Sequence, residues 1–400
     1  MPTRKLPKNS MAKPIVATTQ GVASQGGGWH PSPEQELLLQ AALWQGRDAL
    51  AAWERWRAHI NFSALDYGSF RLLPLLYLNL RAIGIEPPAL GQLRKVYHYF
   101  RYSNQILLFH GKRALQSLHA AGIPTVFLKA SALIPLYYHD IGARPMSDLD
   151  ILVPASRTRE ALHILHEVGW RTQPRPLHDL PDAYLDQTYA HTLTLTERVS
   201  LDLHQHVLFR DPRPNADDDF WAHAIPLDFW GIDSLALNPT DQLLHVCVHG
   251  TFWNDVPPVR WVADAYYIVT RANVNWERLV AQAQSRKLVL PLLNTLRYLY
   301  ERMNAPLPTS AIDALARLPV PRAARLKFQL ETQPPAKRSI AAKLWYHYDR
   351  FRTVSVHYKN ENLLLRFPAY LRDIWNLRET RQVPGYIANF ARQRLTGGSS

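Results

Sequence analysis

Apolar residues follow a helical period of about 3.6 residues through the first part of the chain. Within residues 34–60 the repeat is made by Leu37, Leu38, Ala41, Ala42, Ala49, Trp53 and Trp56. The same period predicts helical stretches at 66–83 and 90–121, and the second of these stops before Gly122, a residue typical of helix ends. We therefore predict an α-helical N-terminal part over residues 33–121.

The pattern changes after residue 121. Short apolar or alternating runs predict strands at 123–128, 148–153, 191–197 and 199–207, with helical runs at 130–138 and 157–168. A sheet with helices against one of its faces is an α+β arrangement. We predict a small mixed β-sheet core over residues 122–237, flanked by helical parts on both sides in the sequence.

Helical periodicity returns over residues 238–335, and residues 336–400 are helical, aromatic and basic. Residues 1–32 are polar and rich in Gly, Pro and Ser without any period, so we predict a disordered basic tail there. The Pro-rich stretch 172–186 is predicted to be an exposed loop that could lie over a site in the core.

Asp148 and Asp150 are the first candidates for chemistry. Residues two apart in a strand point to the same side, so both carboxylates are expected on one face, opposite to Leu149 and Ile151. Two carboxylates held this close repel each other unless a cation lies between them. Oxygen ligands of this kind suit Mg²⁺, which shares its remaining shell with water and substrate phosphates.

A later predicted strand carries a third carboxylate. Asp202, His204 and His206 alternate with Leu201 and Leu203 and therefore share one face. We predict Asp202 as a further metal ligand. Histidine suits Mg²⁺ less well than oxygen does, so His204 and His206 are predicted to orient the carboxylate or bind the acceptor.

Three segments resemble a known family: Phe127-Leu-Lys-Ala-Ser-Ala-Leu133, Arg144-Pro-Met-Ser-Asp-Leu-Asp-Ile-Leu-Val153 and Leu201-Asp-Leu-His204. They resemble an uncharacterised bacterial nucleotidyltransferase family of the DNA polymerase β-type superfamily, over about residues 35–310. The family has glycine after the lysine, where this chain has Ala130. Glycine would let the backbone approach a phosphate more closely.

The resemblance implies a function and a set of site residues. It implies transfer of a nucleoside monophosphate from an NTP to an unidentified acceptor hydroxyl or phosphate, in natural-product or peptide modification. Two Mg²⁺ or Mn²⁺ ions would be held by Asp148, Asp150 and Asp202. The residues implied to bind the nucleotide are Lys129, Ala130, Ser131, Arg144 and Ser147.

Other interpretations stay open at this point. Arg144 could contact a phosphate or form an ion pair with a nearby aspartate, and Ser131 could simply cap a helix. The chain could also be a catalytically weak or inactive binding partner, antitoxin-like or accessory to a biosynthetic enzyme. Template-free tailing of RNA is a third possibility, and it would show a steep salt dependence.

Charge and composition bear on the possible binding partners and on the cellular compartment. The net charge is +13, of which residues 1–30 carry +4 and residues 336–400 carry +8. Basic ends can bind nucleic acid or an anionic membrane surface, but a solvated tail and solvated helix faces are the explanation that we favour. Cys247 is the only cysteine and no apolar run reaches the ~18 residues of a membrane span, so we expect a cytoplasmic protein.

Overall fold

The computed structural model describes residues 28–85, 90–174, 176–179, 185, 188–213, 215–355, 363–375 and 377–396. Most of the predicted tail, and residues 175, 180–184 and 186 of the predicted loop, therefore lie outside the described residues. The end of the predicted tail is packed on the fold. The backbone of Gly28 pairs with that of Asn254, Trp29 is buried, and the Ser32 side chain caps the first helix.

Five helices form the N-terminal part: α1 (Pro33–Leu43), α2 (Gly46–Arg57), α3 (Tyr67–Phe70), α4 (Leu73–Ala82) and α5 (Gly91–Ala120). The stretch predicted as one helix over 34–60 is two helices. Gly46 takes a φ of 58°, which glycine adopts without the penalty of a side chain, and this turns the chain between α1 and α2. The predicted helix at 90–121 matches α5 to within one residue at each end.

Seven strands form one mixed sheet in the order β3-β4-β5-β2-β1-β7-β6. The strands are β1 (Val126–Phe127), β2 (Leu149–Leu152), β3 (Arg171–Thr172), β4 (Ala190–Thr196), β5 (Val199–His204), β6 (Ile225–Asp228) and β7 (Asp233–Ala236). β2 runs parallel to β5 and antiparallel to β1, while β1 runs parallel to β7. The predicted α+β class with a mixed sheet is thus confirmed.

Both faces of the sheet are covered, whereas the sequence predicted helices against one face. Val126 and Leu128 pack into a core that includes the N-terminal helices and the helices that follow residue 238. Phe127 points the other way, into a core formed with the second half of α5 and with the helix at 158–167. The long helix α5 contributes to both cores, because it extends past the edge of one layer into the next.

The remaining helices are α6 (Lys129–Leu133), α7 (Thr158–Glu167), α8 (Asp218–Ala222), α9 (Pro239–Gly250), α10 (Arg260–Arg271), α11 (Trp276–Ser285), α12 (Val289–Met303), α13 (Thr309–Arg317), α14 (Arg322–Glu331), α15 (Ile340–Val354), α16 (Leu363–Ile374) and α17 (Gln382–Thr396). A π-helical turn, Ile134–Tyr138, extends α6. None of the helices in the described ranges is long and apolar enough to cross a bilayer.

The basic C-terminal region has a small core of its own, made by Phe351, Tyr370, Leu371 and Val383. It is tied to the rest of the fold by buried charge. Arg210 forms a 2.7 Å ion pair with Glu331 at the end of α14, and the Tyr346 hydroxyl of α15 donates to the same glutamate. The division of the chain into the segments given above stays a prediction.

Candidate active site

Two neighbouring parallel strands bring two of the predicted carboxylates together. Asp150 of β2 lies directly opposite Asp202 of β5 in the strand register, and both face away from the core that holds Leu149 and Leu201. The Thr192 hydroxyl of β4 donates to Asp202 Oδ1 at 2.7 Å and orients that side chain. Asp148 lies in the bend that leads into β2 and is half-buried. Asp150 and Asp202 thus lie together, and Asp148 is near enough for their charges to act on it. The role of the three carboxylates as metal ligands stays a prediction.

Asp150 is the buried centre of this group. Its Oδ1 lies 2.6 Å from Lys129 Nζ and 3.0 Å from His204 Nε2, and its side chain is only 3% exposed. Burial alone would raise the pKa of Asp150, but the Lys129 ammonium and the hydrogen bond from His204 outweigh it and hold the pKa well below its usual range. Asp150 is therefore a carboxylate in the folded chain, oriented by two neighbours.

The pKa of Asp148 is shifted in the opposite direction. Burial raises its pKa, and the negative charges of Asp150 and Asp202 raise it further, while Lys129 and Arg260 oppose this only in part. No lysine or arginine in the described part of the chain forms an ion pair with Asp148 or Asp202. These two carboxylates consequently lack the cation that Asp150 has.

Two side chains at the turn before α6, those of Lys129 and Ser131, contact Asp150. Lys129 adopts a φ of 47°, a left-handed conformation that is uncommon for a residue with a side chain, and from there its amine reaches Asp150. Ser131 is fully buried, and its hydroxyl accepts the Asp150 N–H at 3.4 Å. Ala130 is 4% exposed and lies within α6, where alanine needs no positive φ. The predicted contacts of these three side chains with a nucleotide stay untested, but the turn offers little side-chain surface for one.

Arg144 forms the ion pair that was the alternative to its phosphate contact. Its Nε and Nη2 lie 2.9 and 2.7 Å from the two oxygens of Asp264, and the Tyr138 hydroxyl donates to Asp264 at 2.6 Å. Ser147 is exposed and donates to Asp148 Oδ1 at 3.3 Å. Of these two predicted nucleotide contacts, Ser147 is thus accessible beside the carboxylates, whereas Arg144 is buried in the fold.

We expect loss of Asp264 to destabilise the protein severely. Asp264→Ala leaves the buried Arg144 guanidinium without its counter-charge, close to Arg71 and Arg260, and the cost should be about 3–5 kcal/mol in the free energy of unfolding. Denaturant unfolding measures it. Glu160→Ala, which breaks the exposed Arg157–Glu160 pair, is the matched control and should change stability little. Equal effects of the two substitutions would contradict a structural role for the buried pair.

The two predicted histidines have different places. His204 is fully buried and contacts Asp150, so it can orient that carboxylate as predicted. The structure does not bring His206 to the carboxylates: its Nδ1 lies 2.7 Å from Asp217, which also accepts the Val207 N–H. His206 instead holds the loop that follows β5.

Several residues around the carboxylates were not predicted from the sequence as ligand-binding. Arg71, between α3 and α4, lies 3.3 Å from the Ser147 hydroxyl, and Arg260, the first residue of α10, reaches the carbonyl of Pro145. Burial and the nearby Lys129 charge hold the pKa of His249 of α9 well below its usual range. The signal for Arg260 was its spacing of four from Asp264, which places both on one face of α10.

The donor set fits a divalent cation. Ligand atoms of Asp150, Asp202 and His204 lie within 4.8 Å of one another. Asp148 is not part of this group, but it is near enough for the charges of Asp150 and Asp202 to raise its pKa. Oxygen-rich sites of this kind suit Mg²⁺, and Mn²⁺ also accepts imidazole. His204 Nε2 lies against Asp150 and can orient that carboxylate.

Comparisons with known proteins show which family the chain resembles. The model of a family described as uncharacterised nucleotidyltransferases matches residues 69–304, more than half of the chain and all of the residues discussed at the site. A solved structure of an antigenic nucleotidyltransferase-like protein from Paracoccidioides brasiliensis is 15% identical, covers 52% of this chain and 95% of its own, and has a TM-score of 0.35. No protein with a curated description matches. The chain belongs to the uncharacterised nucleotidyltransferase family.

Proposed function

We propose that this member of the family transfers a nucleoside monophosphate from an NTP to an acceptor hydroxyl or phosphate, using divalent cations. The observation that carries the proposal is the register of β2 and β5. Asp150 lies opposite Asp202, and Asp148 lies in the bend that leads into β2, close enough for the charges of the other two to act on it. Asp148 and Asp202 have no cationic partner among the described residues, which a bound metal ion would supply.

The transfer forms a bond between an acceptor oxygen and the α-phosphorus of the NTP. The bond from that phosphorus to the bridging oxygen breaks, and its electron pair leaves with pyrophosphate. A proton on an acceptor hydroxyl is released to water. Cations held by Asp148, Asp150 and Asp202 would neutralise the phosphate charge and lower the pKa of that hydroxyl.

The chain's own residues position this machinery. Lys129 and His204 fix the rotamer of Asp150 from two sides, and Thr192 fixes that of Asp202. Because these partners orient the carboxylates, little reorganisation is needed when a substrate binds. Ser147, exposed beside Asp148, is positioned to donate to a phosphate oxygen.

We expect the protein to move a label from the α-phosphate of an NTP, and to require Mg²⁺ or Mn²⁺ for it. The four NTPs, each labelled at the α-phosphate, are incubated with the protein and a pool of candidate acceptors, and labelled products are separated. The same NTPs labelled at the γ-phosphate are the control, since pyrophosphate carries that label away. A chelator should abolish transfer.

Other outcomes would contradict the proposal. Transfer of the γ-label would indicate a phosphotransferase instead. Absence of any divalent-dependent nucleotide binding, measured by calorimetry, would favour the alternative of an inactive binding partner. Binding of nucleic acid or of an anionic membrane by the basic C-terminal region stays a prediction. Neither is needed for the nucleotidyl transfer that we propose.

A further inference from the structure

Three arginines from three distant segments meet at one backbone carbonyl. The Pro145 oxygen lies 3.4 Å from Arg71 Nη2, 2.9 Å from Arg144 Nη1 and 3.4 Å from Arg260 Nη1. Pro145 precedes Asp148 by three residues, and Arg71 also lies 3.3 Å from the Ser147 hydroxyl. The Ser147 hydroxyl in turn donates to Asp148, so the guanidinium groups lie close to this carboxylate.

The positive charges in this cluster are not balanced. Asp264 pairs with Arg144, whereas no carboxylate in the described part of the chain forms an ion pair with Arg71 or Arg260. Arg71 is buried, and its Nε has no hydrogen-bond partner among the described residues. A buried guanidinium without a counter-charge is costly, so two such groups side by side need a reason.

The three guanidinium groups repel one another, and this affects their pKa values. Burial, followed by the charge of Arg144, lowers the pKa of Arg71 to about 10, against the opposing effects of Asp148 and Asp264. Burial and the charges of Arg144 and Arg71 likewise hold the pKa of Arg260 well below its usual range. Both groups would gain from an anion placed between them.

In the described part of the chain the neighbouring carboxylates lack a positive partner, just as the two arginines lack a negative one. Among the described residues, no ion pair provides a cation for Asp148 and Asp202 or an anion for Arg71 and Arg260. The two sets are neighbours, since the Ser147 hydroxyl contacts both Arg71 and Asp148. A polyphosphate with its divalent cation carries both charges in one ligand. The turn before α6 cannot easily provide the anion contacts, since Ser131 is fully buried and the Lys129 amine is engaged with Asp150.

We propose that Arg71 and Arg260 form the subsite for the β- and γ-phosphates of the NTP, the part that leaves as pyrophosphate. Guanidinium groups bind phosphate oxygens through paired N–H donors. Arg260 is half-buried at the start of α10 and contacts the Pro145 carbonyl, two residues before the exposed Ser147. This inference rests on the proposed function, and it assigns to two arginines the contacts that the sequence assigned to Lys129, Ala130 and Ser131.

The test separates the polyphosphate from the nucleoside. Calorimetry in Mg²⁺ measures the Kd of inorganic tripolyphosphate, of ATP and of AMP for the parent, for Arg71→Gln and for Arg260→Gln. Each variant should bind tripolyphosphate and ATP at least about tenfold more weakly, the scale of one lost charged hydrogen-bond pair, and should bind AMP as the parent does. Arg81→Gln, which removes an exposed arginine at the end of α4, is the matched control and should change nothing.

Two further variants keep the experiment interpretable. Arg71→Lys and Arg260→Lys retain the charge but lose the paired donors, so they should lose less affinity for tripolyphosphate than the glutamine variants do. Far-ultraviolet circular dichroism confirms that each variant is folded. If one glutamine variant fails to fold, the lysine variant at that position carries the comparison.

The outcomes distinguish the subsite from the function. Parental affinity for tripolyphosphate in both glutamine variants would overturn the subsite, while Mg²⁺-dependent binding of ATP by the parent would leave the proposed function standing. Equal loss of AMP and tripolyphosphate affinity would make the arginines general supports of the pocket and also overturn the subsite. A parent that binds neither tripolyphosphate nor any NTP in Mg²⁺ would overturn both.

Discussion

Asp148→Asn is expected to reduce nucleotidyl transfer by about 10³-fold or more without lowering the stability of the folded chain. A loss of this size corresponds to about 4 kcal/mol of transition-state stabilisation, a scale seen when one preorganised electrostatic contact is removed. The stability should stay constant or rise, because burial and the charges of Asp150 and Asp202 already disfavour the Asp148 carboxylate when no cation is bound.

The measurement is the single-turnover transfer rate together with the thermal melting temperature in a chelating buffer. Asp313→Asn, which neutralises an exposed aspartate of α13, is the matched control and should leave both unchanged. Parental transfer by Asp148→Asn would remove this residue from the metal site. A large drop in melting temperature would show instead that the carboxylate has a structural partner.

Asp150 is less suitable for the same test. Asp150→Asn would leave the buried Lys129 ammonium without its partner, so lost activity could reflect damage to the fold. Pairing the substitution with Lys129→Gln removes both charges together. The two substitutions differ because Asp150 forms an ion pair with Lys129, whereas Asp148 forms none among the described residues.

The strand pattern predicted which side chains of β2 and β5 share a face. Alternation over Leu149–Asp150–Ile151 and over Leu201–Asp202–Leu203 is a local property of the backbone, and it puts Asp150 and Asp202 on the face opposite to the leucines. The strands β6 and β7 were missed because they are short and half-exposed, and Pro226 lies inside the first of them. Neither shows the apolar alternation that marks β5.

The arginine cluster could not be predicted in the same way. Arg71 and Arg260 are far apart in the sequence and meet only because α4 and α10 pack against the same layer of the fold. The partner of Arg144 is Asp264, 120 residues away, so the choice between a phosphate contact and an ion pair depended on tertiary contacts. The predicted role of the turn at Lys129–Ser131 followed from the family resemblance, which carries no information on side-chain burial in this chain.

The second large effect is expected at Asp202, where binding and catalysis should separate. We expect Asp202→Asn to reduce the single-turnover rate by about 10²–10³-fold with little change in the Kd of the nucleotide. Asp148 and Asp150 remain to hold a cation on the phosphates, so the ground-state complex keeps most of its contacts. What is lost is the charge that acts on the acceptor oxygen, and that interaction develops in the transition state.

The asparagine substitution also preserves the local structure. The Thr192 hydroxyl can still donate to the amide oxygen at position 202, so the contact between β4 and β5 persists and the shape of the side chain is unchanged. Thr192→Val is the informative companion, because it keeps the carboxylate but releases its orientation, and we expect a smaller loss of rate, about tenfold. Equal loss of nucleotide affinity and rate in Asp202→Asn would place Asp202 among the nucleotide contacts. Parental affinity and parental rate in this variant would leave only Asp148 and Asp150 as metal ligands. These two carboxylates could hold a cation on the phosphates, but no carboxylate of β5 would then act on the acceptor.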